Sequence, residues 1–299
     1  MSTEGSYYVP ESSKLPIFAA FGLGTLAVGA GSWVQGQSPW TFIVGALVLA
    51  FVLYAWFSLV ISENIAGMNS DQLKRSYVWG MGWFIFSEVM FFAVFFGSLW
   101  YIRVLVLPWL GGETTENDLL WAGFEPSWPL MVTPDQAVNG DAAQFLGPGQ
   151  NMSFPGWDRI LHWLPLWNTI ILMTSSVTVH IAHTGLKDGN RKKFNTWLGI
   201  TVALGIFFLF LQVEEYIEAY QHMGLTLESG IYGTTFFMLT GFHGMHVTLG
   251  TAMLLIQWLR GLKGHFTHDD QFGFEAASWY WHFVDVVWVG LFLFVYVLA

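Results

Sequence analysis

Long apolar runs dominate the chain and determine the solvent in which it folds. Runs of membrane-spanning length lie at about residues 16–34, 40–61, 77–107, 163–184, 195–219, 232–260 and 277–299. Only 11% of the 299 residues are charged, whereas soluble domains contain about 25% charged residues. A water-soluble fold is therefore excluded, and the sequence predicts an all-α membrane protein with seven transmembrane helices.

The first run gives the weakest signal, because it is short and contains Gly22, Gly24, Gly29 and Gly31. Small residues permit close approach of helices, which favours a membrane span. A cleavable signal peptide is the alternative. The preceding segment, however, has one Lys against two Glu, and no small-x-small cleavage site precedes a polar mature chain.

Lysine and arginine indicate the orientation in the membrane. Nine of the 11 fall on one side when the tail and loops are assigned alternately: Lys14, Lys74, Arg75, Lys187, Arg191, Lys192, Lys193, Arg260 and Lys263. Arg103 and Arg159 fall on the other side. By the positive-inside rule, the N-terminus is predicted to be cytoplasmic and the C-terminus to be outside.

The one long connection, at about residues 108–161, is predicted to lie outside. It is rich in Pro, Gly and Trp, and its acidic residues are Glu113, Glu116, Asp118, Glu125, Asp135, Asp141 and Asp158. We expect a folded-over cap or a mobile loop rather than a domain. The formal net charge of −10 is therefore largely an asymmetry across the membrane.

Several classes of site are excluded by composition and motif. The chain has no Cys, so disulfides, iron–sulfur ligands and thiol nucleophiles are absent. Any metal would depend on the nine His and the carboxylates. There is no nucleotide-binding glycine motif and no basic patch of the kind that binds nucleic acid.

Glu88, in GWFIFSEVMFFAVFF, is the clearest functional candidate, because ionisable groups inside a membrane are costly. It lies 11 residues beyond Tyr77 and therefore about 16 Å deep, near the bilayer midplane. Burial among Phe side chains disfavours the ionised carboxylate. Two hypotheses stay open: a proton-relay or regulatory group, or a neutral acid that bonds to Ser or Thr of a neighbouring helix.

Pairs of polar residues three apart share a helical face, namely His180 with His183, His243 with His246, and His282 with Asp285. Two His at this spacing could ligate a metal, and facing His on two helices could bind haem. Depth estimates allow His246 and His282 to lie at the same level. Structural packing is the alternative, and we favour it.

Charged clusters lie at the ends of three runs. Glu214, Glu215 and Glu218 are expected to be interfacial charges rather than an ion or docking site. At the cytoplasmic side, basic and aromatic residues could form a lipid-headgroup site: Trp56, Glu63, Arg260, Lys263 and His265. A purely topogenic role of the basic residues is the alternative.

From about residue 73 onward, the chain resembles subunit III of haem-copper cytochrome c oxidases of bacterial type. The resemblance rests on the order and spacing of SEVMFFAVFF, LPLWNTIILMTSSVTVHIAH, LFLQVEEYIEAY, SGIYGTTFFMLTGFHGMHVTLG, GHFT and FGFEAASWYWHFVDVVW. FHGMH and WYWHFVDVVW are its most specific motifs. Gly97 and Tyr101 depart from members that carry Trp and His at these positions.

The resemblance implies an architecture of two bundles. Residues 1–70 would form the N-terminal tail and a two-helix bundle. Residues 71–299 would form a five-helix bundle with the long external loop. A V-shaped cleft filled by phospholipid would separate the two bundles.

The resemblance also implies an accessory subunit that binds no haem, copper or other metal and has no catalytic residue. Its main partner would be oxidase subunit I, which holds the haems and copper, with subunit II in the same complex and cytochrome c as electron donor. The location would be the bacterial inner membrane. Proton uptake and durability of the complex during turnover would depend on this subunit.

The family's sites carry over residue by residue. Glu88 matches a buried proton-linked glutamate, and the headgroup region corresponds to Trp56, Glu63, Arg260, Lys263 and His265. We assign His243, His246, His282 and Asp285 to structural polar packing. The alternatives are subunit III of a quinol oxidase and a haem-binding electron carrier. A transporter is disfavoured, because there is no inverted repeat or interrupted helix pair.

Overall fold

The structure is a computed structural model that describes residues 12–68, 70–113, 119–266 and 271–299, with the side chain of Glu113 left out. Those residues form helices and irregular connections and contain no β-strand. Seven of the helices are long and apolar enough to cross a membrane. The predicted all-α fold with seven transmembrane helices is therefore confirmed.

The helices follow the apolar runs but extend beyond them. In chain order they are α1 Leu15–Val34, α2 Trp40–Ile65, α3 Asp71–Tyr101, α4 Pro134–Asn139, α5 Leu164–Lys187, α6 Arg191–His222, α7 Gly230–Leu262 and α8 Phe272–Leu291. The third span continues through π-helical turns, so that it covers Asp71–Gly112. The last continues through a π-helical segment, Phe292–Val297. Polar residues continue the helices beyond the hydrocarbon core of the membrane, and a search for apolar runs does not detect these helix ends.

The chain divides into two compact units, Met1–Gly80 and Met81–Ala299. In the first unit, α1 packs along α2. A Cβ at Gly29 would lie 2.2 Å from the backbone N of Phe42, and one at Gly45 would lie 2.4 Å from that of Leu26. Glycine at these two positions is what lets the backbones touch, which confirms the expected close approach.

The second unit contains a closed ring of four helices. Neighbours along the chain from α5 to α8 pack in sequence, and α8 returns to pack against α5. Trp281 is fully buried within this ring and donates from Nε1 to the Ser175 hydroxyl at 2.9 Å. A Cβ at Gly205 or Gly250 would lie 2.9 Å from the Trp281 ring. The two glycines therefore make room for the indole.

The described part of the outer loop is a folded cap. Thr133 caps α4 by accepting from the N–H of Gln136 at 3.1 Å. The Met152 N–H donates to the Tyr232 hydroxyl at 3.1 Å, and the Phe154 N–H donates to the Tyr296 carbonyl at 2.9 Å. These bonds fasten the loop to α7 and to the end of the last span. Glu116 and Asp118 lie outside the described residues.

The turn after Thr133 is held by Asp135. Its carboxylate accepts from the Asn139 amide at 2.7 Å and from the N–H of Gln144 at 2.7 Å. These hydrogen bonds, that from Asn139 first, lower the pKa of Asp135 below its ordinary value. The ionised carboxylate is therefore the form that favours the folded loop.

Candidate functional site

The carboxyl group of Glu88 on α3 faces the imidazole of His246 on α7. Glu88 Oε2 lies 2.8 Å from His246 Nε2, which is hydrogen-bonding distance. The other ring nitrogen, Nδ1, bonds the Phe242 carbonyl at 2.6 Å. Both nitrogens of His246 are thus engaged, and the ring is fixed in orientation.

Aromatic rings surround this pair. The His246 ring centroid lies 4.9 Å from that of Phe92, 5.9 Å from that of Phe91, 6.2 Å from that of Phe283 and 6.3 Å from that of Tyr280. The His246 side chain is 4% exposed and that of Glu88 is 23% exposed. A hydrogen bond in such surroundings is electrostatically stronger than one in water, and an unpaired member would be costly.

One sequence hypothesis expected Glu88 to bond a neighbouring helix, with Ser or Thr as the example; that helix is α7, and the bonding residue on it is His246. Ser87 donates its hydroxyl to the Phe84 carbonyl at 2.7 Å, and its Oγ lies 3.5 Å from Glu88 Oε1. The short contact is the one to His246. The spacing of FHGMH placed His243 and His246 on one face but carried no information about which helix that face meets.

His243 occupies a separate position in the ring core. It is fully buried, and its Nε2 lies 3.2 Å from the Val284 carbonyl on α8. The rings of Phe208 and Trp288 pack against it at 5.8 Å and 5.1 Å between centroids. This contact between α7 and α8 fits the structural role we assigned to His243.

The arrangement disfavours haem ligation by His246 and His282. Both nitrogens of His246 already have partners, and His282 Nδ1 lies 2.9 Å from the Ser176 hydroxyl. Within the residues that the structure describes, no group of three or more His, Asp or Glu could hold a metal ion. His282 also lies 3.5 Å from Asp285, so the predicted pair on α8 is formed.

The headgroup candidates fall in both units. Arg260 is 8% exposed, donates to Gln257 Oε1 at 3.0 Å, and lies 4.8 Å from the Phe266 ring centroid. Lys263, one turn further along, is exposed, and His265 is half-buried. The other candidates, Trp56 and Glu63, are on α2 in the first unit, where Trp56 is 39% exposed. That these residues bind lipid headgroups stays a prediction.

Sequence reasoning missed a second buried carboxyl group, that of Glu215. Of the three glutamates expected at the interface, Glu214 and Glu218 are exposed, but Glu215 is fully buried. Tyr296 donates to Glu215 Oε1 at 2.6 Å, and the Asn168 amide lies 3.5 Å from Oε2. Glu214 and Glu218 are four residues apart and share the exposed face of α6, whereas Glu215 is rotated by about 100° from Glu214 and faces inward. The sequence offered one signal for this buried group, namely the polar residues Asn168 and Tyr296 within other apolar runs.

Comparison with known proteins places the chain in a family. The family model described as cytochrome c oxidase subunit III matches residues 5–113 and 160–299. The chain belongs to the cytochrome c oxidase subunit III family. The match leaves out residues between 113 and 160, which form most of the outer loop.

Proteins named cytochrome c oxidase subunit 3 match over nearly the whole chain. Those of Dugong dugon, Equus caballus and Oryctolagus cuniculus are 36%, 35% and 34% identical over 294 residues, which cover 97% of this chain and 96% of each relative. Membership makes the chain a multi-pass membrane subunit of an oxidase complex. The family resemblance seen in the sequence is confirmed. Its bacterial type stays a prediction, since these relatives are mammalian.

Proposed function

We propose that the chain is the accessory, cofactor-free subunit III of a respiratory haem-copper oxidase that transfers electrons from cytochrome c to oxygen. It packs mainly against subunit I, beside subunit II, and supports proton uptake and the stability of subunit I. The haems and copper belong to the partner subunits. Family membership supports the complex, and the names of the relatives favour cytochrome c over a quinol as donor.

The contact between Glu88 and His246 is the observation that carries the proton-linked role. A carboxyl group 2.8 Å from an imidazole can hold one proton between two sites. The ring of aromatic side chains limits water around the pair, while the 23% exposure of Glu88 leaves a route for proton exchange. Glu88 therefore suits a group that buffers or relays protons for subunit I rather than a purely structural acid.

We expect Glu88→Gln to leave assembly of the complex intact, because the amide keeps the shape of the carboxyl group and can bond His246. The variant cannot release a proton. Proton uptake, or the lifetime of the oxidase during turnover, should therefore fall. The measurement is steady-state oxygen consumption, its decay with turnover number, and proton pumping in vesicles that contain the purified complex.

Ser98→Ala is the matched control, because Ser98 lies on the same helix and its hydroxyl only bonds the Val94 carbonyl at 2.8 Å. His246→Gln should give the same defect as Glu88→Gln if the pair acts as a unit. Glu88 would be structural only if rate, inactivation and pumping all equalled those of the parent complex.

We further propose that the chain holds phospholipids, with the headgroups near Arg260, Lys263 and His265. Lys263, which is exposed, and Arg260, which is only 8% exposed, are at the predicted cytoplasmic end of α7, where anionic phosphates lie. We place the complex in the bacterial inner membrane because the sequence resembles bacterial members of the family, and the distribution of Lys and Arg puts the N-terminus in the cytoplasm and the C-terminus in the periplasm.

A further inference from the structure

The hydrogen-bonded side chains of Ser176 on α5 and His282 on α8 lie at the outer surface of the helix ring, halfway along the helices. Ser176 is 12 residues from the start of α5 at Leu164 and 11 from its end at Lys187. At 1.5 Å per residue it lies about 17 Å from either end, near the middle of a membrane-spanning helix. His282 Nδ1 lies 2.9 Å from the Ser176 hydroxyl and is therefore at the same level.

The second ring nitrogen of His282, Nε2, points away from Ser176 and Asp285. Nδ1 faces Ser176 and Asp285, and the His282 side chain is 44% exposed. Within the part of the chain that the structure describes, Nε2 forms no hydrogen bond. A nitrogen that can form hydrogen bonds but faces hydrocarbon without a partner destabilises the protein, and lipid tails cannot supply that partner.

Two other exposed polar side chains on the ring, Thr174 and Thr248, do not share this problem. The Thr174 hydroxyl donates to the Ile170 carbonyl at 2.6 Å, and that of Thr248 donates to the Gly244 carbonyl at 2.8 Å. These hydroxyls are satisfied within their own helices and suit a surface covered by lipid. An imidazole cannot be satisfied in this way while it bonds a serine of another helix.

Exposed valines flank His282. Val286, one turn further along α8, is 71% exposed, and Val177 on α5 is 60% exposed. His180, one turn along α5 from Ser176, is also exposed. We call the surface formed by Ser176, Val177, His180, His282 and Val286 the α5–α8 face. It combines apolar contact area with hydrogen-bonding groups at membrane depth.

We propose that the α5–α8 face is where the chain docks against subunit I of the oxidase, and that a transmembrane helix of subunit I presents a hydrogen-bond partner to His282 Nε2. This inference rests on the proposed function. Lipid is a poor occupant at this depth, because phosphates and ester groups lie about 15 Å away at the bilayer surface. A neighbouring helix supplies a polar side chain or a carbonyl at the required level.

The test uses a photo-activated amino acid, p-benzoylphenylalanine, placed at Val286 or Val177 in the intact oxidase. Val213 on α6 is the control site, because it is 58% exposed and α6 is diagonal to α8 in the ring. Irradiation should cross-link the chain to subunit I from Val286 and Val177, at least fivefold more than from Val213. Products with lipid only, with subunit II, with a second copy or with α1 and α2 would overturn the proposal.

A second measurement addresses His282 itself. His282→Phe should raise the fraction of oxidase that loses this chain in a detergent titration, by about tenfold in dissociation constant, as expected for one lost buried hydrogen bond. His282→Asn should restore part of the affinity, and Val213→Ala, which lies outside the α5–α8 face, should have little effect. Equal retention of the parent and His282→Phe chains would contradict a docking role for His282.

The two proposals can fail separately. If the parent chain does not copurify with haem-containing subunits, the proposed function is wrong. If it does copurify but the cross-links to subunit I come from Val213 instead, the oxidase assignment holds and only the assignment of the α5–α8 face is wrong.

Discussion

Glu215 provides a direct test of how the ring is held together. The carboxyl group and the Tyr296 hydroxyl are both fully buried, and the tyrosine donates to Oε1 at 2.6 Å. Tyr296→Phe removes the donor and leaves a buried carboxyl oxygen short of a partner. Glu215→Leu removes the acceptor and leaves the hydroxyl and the Asn168 amide unsatisfied.

The magnitude follows from the burial of both partners. An unsatisfied buried group costs about 1–3 kcal/mol, so each single variant should be destabilised by about 2 kcal/mol. That corresponds to a fall of about 4–8 °C in melting temperature for a domain of this size. The double variant Glu215→Leu with Tyr296→Phe should lose about 1–2 kcal/mol less than the sum of the single variants, because the two residues are in contact.

The assay is thermal unfolding of the purified complex, with dissociation of this chain followed by native electrophoresis. Glu214→Leu is the matched control, because Glu214 is adjacent in sequence but exposed. It should change the melting temperature by only about 1 °C. Equal effects at positions 214 and 215, or strict additivity of the two single variants, would refute the assignment of this hydrogen bond.

Two further predictions concern the helix hairpin and the lipid site. Gly29→Ala should destabilise the α1–α2 pair by about 1–3 kcal/mol in the same thermal assay, because its Cβ would lie 2.2 Å from the Phe42 nitrogen. At Gly31 an added Cβ would have nothing within 4 Å, so Gly31→Ala should be neutral or slightly stabilising. Equal effects of the two substitutions would contradict the close approach of α1 and α2 at Gly29. Arg260→Ala should lower the phospholipid phosphorus that copurifies with the complex, whereas Lys192→Ala should not. Unchanged lipid content would remove Arg260 from the headgroup site.

Hydropathy alone predicted the number and order of the spans, because a bilayer demands about 20 apolar residues per helix regardless of tertiary context. It predicted their ends less well. The helix that begins at Arg191 was expected to begin at 195, since Arg191 to Lys193 continue the helix outside the hydrocarbon. The glycine-rich first run was correctly interpreted as a span, because α1 approaches α2 at Gly29.

The sequence by itself determined the solvent, the all-α fold and the list of costly polar groups, because these depend on composition and on local periodicity. Only the tertiary structure decided which of those groups meet. Glu88 and His246 are 158 residues apart, and Glu215 and Tyr296 are 81 apart. Their contacts depend on the rotation of each helix about its axis, which is set by the packing of rings and glycines across the bundle. For the same reason Glu214 is exposed while its neighbour Glu215 is buried.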